Sequence, residues 1–506
     1  DWSSDVCSSD LPRSSCTWGH RKTIWGFYFQ DDWRVSDTLT LNLGLRWEYH
    51  TPLVEVKDRQ SNFEPFSGRL LLAGQDGNSR ALYAPFKKDF QPRFGFAWQP
   101  KMLPHFVVRG AYTISSFMEG TGTNLRLPLN PPFNFEYEAI YSQPQFNLPP
   151  SNAEQGLTAL RPADPYRNAN IRLWDPFVRP ANTQQWNFTI ERQFKDVVAS
   201  VGYVGQKGHH LVVPMPYFQR RLVGKDAAGN PITEPSGYLA GNPQLASIAQ
   251  ISGTESNGNQ QYHALQAQMR KRMSRGLEFQ MSYTFSKGMS DAIGYYGEGG
   301  QSANQSAYWQ YLFDRRSEWG PTYFDARHMY TLSHVWDVPF GKGRSFGSNM
   351  HPVLNGILGD WQLAGILTLR SGFPLTIQGG NNSTTNSRGA RASVVAGRSG
   401  GNTLSQVGLG SRWFDTTVYE NAPRGEFGNV GIGTERGPGL ATYDISIQKE
   451  FPIKERVRFE LRGELFNLTN TPIYNAPNRS RASAVFGELS GAQGERQGQI
   501  ALRLVF

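Results

Sequence analysis

Between residues 39 and 50, Leu39, Leu41, Leu43, Leu45, Trp47 and Tyr49 alternate one for one with Thr40, Asn42, Gly44, Arg46, Glu48 and His50. A helix would scatter those leucines around its cylinder, so the period of two predicts a strand with one apolar and one polar face. The pattern recurs along the chain. Trp25, Phe27, Phe29 and Trp33 oppose Tyr28, Gln30, Asp32 and Arg34. Phe94, Phe96 and Trp98 oppose Arg93, Gly95 and Ala97. Leu277, Phe279, Met281, Tyr283 and Phe285 oppose Glu278, Gln280, Ser282, Thr284 and Ser286. Val457, Phe459, Leu461 and Leu465 oppose Arg458, Glu460, Arg462 and Glu464. The final stretch, Gln497 to Phe506, sets Ile500, Leu502, Leu504 and Phe506 against Gln499, Ala501, Arg503 and Val505.

In all, the alternation predicts about thirteen strands, joined by connections that are short and long in turn. Short turns fall at Val35–Thr38, Pro100–Pro104, Lys195-Asp196, Ser274–Gly276 and Pro452–Glu455, with a longer turn at Pro339–Gly359 on the same side. Long connections fall at Thr51–Lys88, Met118–Asn182, the stretch up to Gln261, Gly288–Phe324, Gly379–Gly439 and the stretch before the last strand. If neighbouring strands are antiparallel, every long connection lies at one end. Several strands approach the ~9–11 residues that cross a bilayer at barrel tilt. One greasy face and one polar face on such strands predict lipid outside and water inside: an all-β, transmembrane antiparallel β-barrel, with Phe506 at the short-turn, periplasmic side. Soluble propellers and sandwiches also alternate. They do not normally combine aromatic-rich strands of this length with one-sided loops of tens of residues.

Composition sharpens this picture. The chain has 506 residues, 13% aromatic and 18% charged, with mean hydropathy −0.50. No apolar run nears the ~18 residues of a spanning helix, which argues against a helical membrane protein but not against a barrel. The net charge of +9 is spread rather than gathered in a stripe, so nucleic acid is not an expected partner. Both cysteines, Cys7 and Cys16, lie at the extreme N-terminus, and the cysteine-free remainder suits an oxidising compartment without a disulfide framework. Residues 1–20 read as a non-native, adapter-like and disordered stretch, opening DWSSDVCSSDL, and 21–506 as the C-terminal part of a barrel in a longer protein.

An ordered set of short motifs carries a family likeness. It runs through Phe29-Gln30-Asp31-Asp32-Trp33-Arg34, Leu41-Asn42-Leu43-Gly44-Leu45-Arg46, Pro92-Arg93-Phe94-Gly95-Phe96 and Tyr203-Val204-Gly205. It continues through Tyr262-His263-Ala264-Leu265-Gln266, Tyr283-Thr284-Phe285-Ser286-Lys287, Asp325-Ala326-Arg327-His328, Pro339-Phe340-Gly341 and Ser371-Gly372-Phe373-Pro374. It ends with Glu464-Leu465-Phe466-Asn467-Leu468-Thr469-Asn470 and Leu504-Val505-Phe506. In this the chain resembles the barrel of TonB-dependent outer-membrane receptors, in particular the Oar-like group. The resemblance implies a plugged barrel of about 22 strands, with about nine of them, the plug and the TonB-contacting segment outside this chain. It implies energy-coupled import of a scarce nutrient such as a siderophore or a glycan. The implied partners are outer-membrane lipid, the TonB complex through the absent N-terminal region, and an unknown extracellular ligand. The last strand, with Ile500, Leu502, Leu504 and Phe506, resembles a membrane-assembly signal read by the barrel-assembly machinery.

Candidate chemistry is sparse. The inner faces carry Arg46, Glu48, Arg93, Arg109, Arg458, Glu460, Arg462 and Glu464, which the resemblance turns toward a plug; solvation of an aqueous lumen is the plainer alternative. The connection around 288–324 carries Tyr295, Tyr296, Tyr308, Trp309 and Tyr311. Such flat, stiff side chains can stack on sugars or planar chelates, or can simply pack the loop. No hydrolase arrangement, metal site or cofactor motif is expected. His209-His210 is the one histidine pair, and Gly431-Ile432-Gly433 lacks a nucleotide-binding context. A non-transport adhesive or structural barrel, or a secreted propeller lectin or enzyme, are the competing functions.

Overall fold

The computed structural model describes residues 18–506 apart from 65–66, 119–122, 135–169, 216, 218, 235–247, 249, 293–308, 381, 384, 386, 388, 402–403, 405–407 and 455–456. Residues 1–17 of the stretch 1–20 read as adapter-like therefore lie outside the described residues, whereas His20 pairs with Glu55 in a short antiparallel ladder.

One 15-stranded sheet dominates, and two short strands hang off a continuous antiparallel path. In chain order the path is β1 (Ile24–Ser36), β2 (Leu39–His50), β3 (Asp89–Trp98), β4 (Phe106–Phe117), β5 (Ala181–Phe194), β6 (Val197–Met215) and β7 (Gln250–Ser274). It continues with β8 (Leu277–Ser290), β9 (His328–Asp337), β10 (Trp361–Arg370), β11 (Leu440–Lys454), β12 (Val457–Phe466) and β13 (Gln497–Val505). Each strand pairs with its neighbour in the path, so all short turns lie at one end and all long connections at the other. The turns have the local chemistry they need. Arg275 and Gly276 both take positive φ, as a two-residue turn between right-twisted strands requires. The path does not close on itself. Its edge strands are exposed along nearly their whole length, β1 throughout and β13 from Gln497 to Leu504.

Register aligns the apolar faces across the sheet. Leu43 faces Phe94, Phe94 faces Tyr112, and Tyr112 faces Trp186. Farther along, Leu277, Trp336, Leu363 and Ile447 form another row. Aromatics on this face lie across glycines of the next strand: a Cβ at Gly110 would collide with Phe96, and one at Gly205 with Trp186. These side chains remain exposed, Phe29 by 69% and Ile500 by 80%. They are not turned into a sealed interior between layers. At the β1 edge a carboxylate interrupts the face. Asp31 sits opposite Leu43, among Phe29, Trp33 and Leu45.

The buried core lies instead at the long-connection end, where the connections form a cap. Strands β6 and β7 run 19 and 25 residues, well beyond the ~9–11 needed to cross a bilayer. Their paired continuation, bent by a bulge at His210, is the cap's scaffold. A short strand, Asn170–Trp174, pairs parallel to Gln250–Thr254 along it. Asn130 and Asn62 then serve as the outer partners of that strand: Asn130 Nδ2 donates to Arg172 O (2.8 Å) and Asn62 Oδ1 accepts from Trp174 N (2.9 Å). Around this ribbon Phe63, Ile171, Leu173, Met215, Ile251 and Trp309 form one apolar cluster. A second gathers Ile377, Phe414, Tyr419, Val430 and Phe486, and a third Leu53, Tyr83, Leu127 and Trp174. The turn between β9 and β10 holds the short helix Pro352–Leu358.

Candidate functional site

Two surfaces offer chemistry: the polar face of the sheet and the cap above it. Alternation delivers every second side chain of each strand to the polar face, and there the charges pair laterally. Arg46 Nε donates to Glu48 two residues on (2.9 Å), and Gln91 Nε2 donates to the same carboxylate (2.9 Å) and to Ser116 Oγ (2.7 Å). Ser116 in turn donates to Asp89. At the other end of the sheet the arrangement repeats. Arg462 Nε donates to Glu464 (2.7 Å), which also accepts from Gln499. Arg109 pairs with Glu191 across strands at 3.4 Å and Arg458 with Glu450 at 3.6 Å. Glu460 faces Arg503 in register, and the stem of Arg93 lies beside Gly44. All eight inner-face residues expected from the sequence thus share one face of the sheet. Each arginine among these eight is exposed, so the face is a hydrated, hydrogen-bonding wall rather than a sealed polar core.

In the cap, a buried polar hub joins three long connections. Arg391 places both hydrogen bonds of one guanidinium nitrogen on the Glu318 carboxylate (3.0 and 2.9 Å), and its Nε donates to Val430 O (2.9 Å). Gln310 N donates to Glu318 (2.9 Å), Gln310 Oε1 accepts from Arg391 N (2.8 Å), and Gln219 Nε2 donates to Gln310 O (2.7 Å). Burial pushes the Glu318 carboxyl up, and the Arg391 charge pulls against that push. A second tie, Arg436 to Asp325 (2.7 Å), locks the base of two of these connections. Nearby, burial and the Glu435 carboxylate raise the Tyr419 hydroxyl above its usual range.

The aromatic residues expected to meet a ligand separate here. Tyr295, Tyr296 and Tyr308 lie outside the described residues. Trp309 is 4% exposed, with its indole donating to Asp291 O (2.8 Å) and Arg315 over its ring, so it packs the cap. Tyr311 is half-buried at the surface, stacked on Phe427 at 4.3 Å and edge-on to Phe313 at 5.3 Å, with Arg221 over Phe313. This platform draws on three connections, and the sequence reading missed Phe313, Phe427 and Arg221. It missed the hub as well, because no local period marks residues that meet only through tertiary contact.

The profile of one protein family, described as an outer membrane beta barrel domain, matches residues 7–499. No curated protein sequence matches the chain. Similar solved structures include the outer membrane transporter YddB from Escherichia coli (11% identity, TM-score 0.47, covering 96% of this chain and 45% of that one). They also include the ferripyoverdine receptor of Pseudomonas aeruginosa (10%, 0.44, 97% and 39%). A third is the siderophore receptor PirA from Acinetobacter baumannii (9%, 0.42, 96% and 46%). The chain spans less than half the length of each.

Proposed function

The chain belongs to the outer membrane β-barrel domain family and resides in the outer membrane, and from that premise we propose that it is the C-terminal barrel portion of a TonB-dependent, Oar-like receptor-transporter. In this reading it takes up a scarce nutrient such as a siderophore or glycan through a plugged barrel. One observation supports the reading most: thirteen consecutive antiparallel strands, greasy on one face and charged on the other, remain open at both edges. An open sheet cannot stand in lipid, because each unpaired edge leaves a row of unmet backbone groups. About nine further strands would complete a plugged barrel of transporter size. Asp31 fits that completion, since a strand added beyond β1 would bring new hydrogen-bonding groups to its outward carboxylate, for which no side-chain partner is seen among the described residues.

The long connections then face the exterior and the short turns the periplasm. Arg46, Glu48, Arg93, Arg109, Arg458, Glu460, Arg462 and Glu464 face a plug, whose polar surface their unspent hydrogen-bonding capacity suits. Ligand capture falls to the aromatics of that connection, Tyr295, Tyr296, Tyr308 and Tyr311. The β13 face of Ile500, Leu502, Leu504 and Phe506 engages the assembly machinery.

The test is uptake by cells carrying or lacking the intact gene, with and without a working TonB system, across labelled siderophores and glycans. At least one solute should accumulate only when both are present. Unchanged uptake in both deletions, with surface attachment lost instead, would establish an adhesive barrel and reject transport.

A further inference from the structure

We propose that the long-connection rim of the apolar face, around Lys207, His263 and Lys287, binds the phosphate groups of an outer-leaflet glycolipid. This rests on the orientation given above.

The placement follows from alternation and register. Lys207 continues the outward series Val201, Tyr203 and Gly205 on β6, and Lys287 continues Tyr283 and Phe285 on β8. His263, on β7 between them, faces Gly205 on one side and Lys287 on the other. Lys207 faces Gln261, one step farther up the same face. With strands ~4.8 Å apart, the two lysine backbones are on the order of 12 Å from one another, so their ammonium groups can close on one anion above the imidazole. All three residues are exposed, and neither lysine has a carboxylate partner among the described residues.

The histidine is held in place. Tyr203 Oη and His263 Nδ1 are hydrogen-bonded at 2.6 Å, and the two rings stack at 6.1 Å, with Trp186 edge-on at 6.4 Å. That leaves Nε2 for a ligand. His328 repeats the device one pair along, bonded to Tyr283 Oη at 2.8 Å and packed on Phe285 at 5.1 Å. Aromatic rings at the border of an apolar band sit at headgroup level, and a compact ammonium on a flexible stem suits a phosphate.

The opposite rim of the same face sharpens the assignment. Its outward lysines are consumed by their own chain. Lys271 Nζ donates to Leu277 O (2.7 Å) and Ser274 Oγ (2.6 Å), and Lys449 Nζ donates to Asn355 O (2.9 Å). Arg192 there lies between Phe106 and Phe194, 4.7 and 4.3 Å from their rings. Among the described residues, only the long-connection rim groups ammonium charge without a hydrogen-bond or ion-pair partner around a histidine. A lipid whose headgroup carries phosphate on a sugar fills the leaflet on that side.

The experiment uses the intact protein, purified from outer membranes in mild detergent. Retained phosphorylated glycolipid and glycerophospholipid are quantified by mass spectrometry, and purified glycolipid is titrated back by native mass spectrometry. The Lys207→Gln/Lys287→Gln double variant should lose roughly tenfold in glycolipid affinity, and Arg192→Gln should lose none. Unchanged retention in the double variant, equal loss in Arg192→Gln, or retention of glycerophospholipid alone would each overturn the site. Solute uptake unchanged by deletion of the gene or of TonB, with glycolipid binding intact, would count against transport and leave this site standing.

Discussion

The wall and the cap of this molecule obey opposite rules with the same amino acids. In the wall, Phe29, Leu45 and Leu502 stay exposed by 47–69%, and the ladder hydrogen bonds hold the strands together. In the cap, Phe63, Ile377, Phe414 and Leu489 are fully buried. Water drives the cap, where removing apolar surface from solvent stabilises the fold. In lipid no such drive exists between strands, and the backbone must satisfy itself. A side chain's exposure therefore has no fixed meaning here until the phase it meets is known.

That contrast can be broken from the cap side first. Phe414→Ala should cost about 3–5 kcal/mol of cap stability through the cavity it leaves. The expected readout is faster hydrogen exchange and proteolysis across 371–439, with the wall strands still protected. Arg391→Met strands a buried Glu318 and should cost about 3–5 kcal/mol, less if the cap admits water. Adding Glu318→Gln should recover part of that loss in the same assay, which separates a burial penalty from lost packing. From the wall side, Leu43→Arg should cost about 2–4 kcal/mol of folding into lipid vesicles, whereas Asn42→Arg on the other face should cost little. Equal costs at these neighbouring positions would contradict the lipid-facing assignment.

The smallest effect is one of pH. Burial raises the Glu55 carboxyl, but hydrogen bonds from the Arg59 backbone and guanidinium, Lys57 N and Gly19 N outweigh it and hold it at about 2. A depressed carboxylate stabilises the fold above its unfolded value, near about 4.3, and loses that contribution as pH falls toward about 2. Exchange protection over residues 51–64 should weaken across that window, and Glu55→Gln should flatten the dependence.

The wall was legible in the sequence because its two environments differ at every second residue. The leucines of β2 and the closing face of β13 announce themselves locally. The cap was not. Gln250–Gln261, read as loop, is the first half of β7. Its run of Ser, Thr, Asn and Gly has no apolar alternation because it packs within the cap, Ile251 inside an apolar cluster and Ser256 bonded to Asp175 of a neighbouring connection. The strand at Asn170–Trp174 depends on the side chains of Asn62 and Asn130, far away in sequence. Trp309 and Tyr311, two residues apart in one loop, reach opposite fates, one inside a cluster and one at the surface. Only the fold of the other connections decides which.

Pairing restricted to chain neighbours has a consequence for biogenesis. The wall can be laid down hairpin by hairpin, each short turn staying on the side from which the chain arrives. In the orientation proposed above, every long connection must instead cross the bilayer. Gln219, Gln310 and Arg391 travel in three such passengers. Their hub can assemble only after the last of the three has crossed, so the lid is finished after the wall strands beneath it.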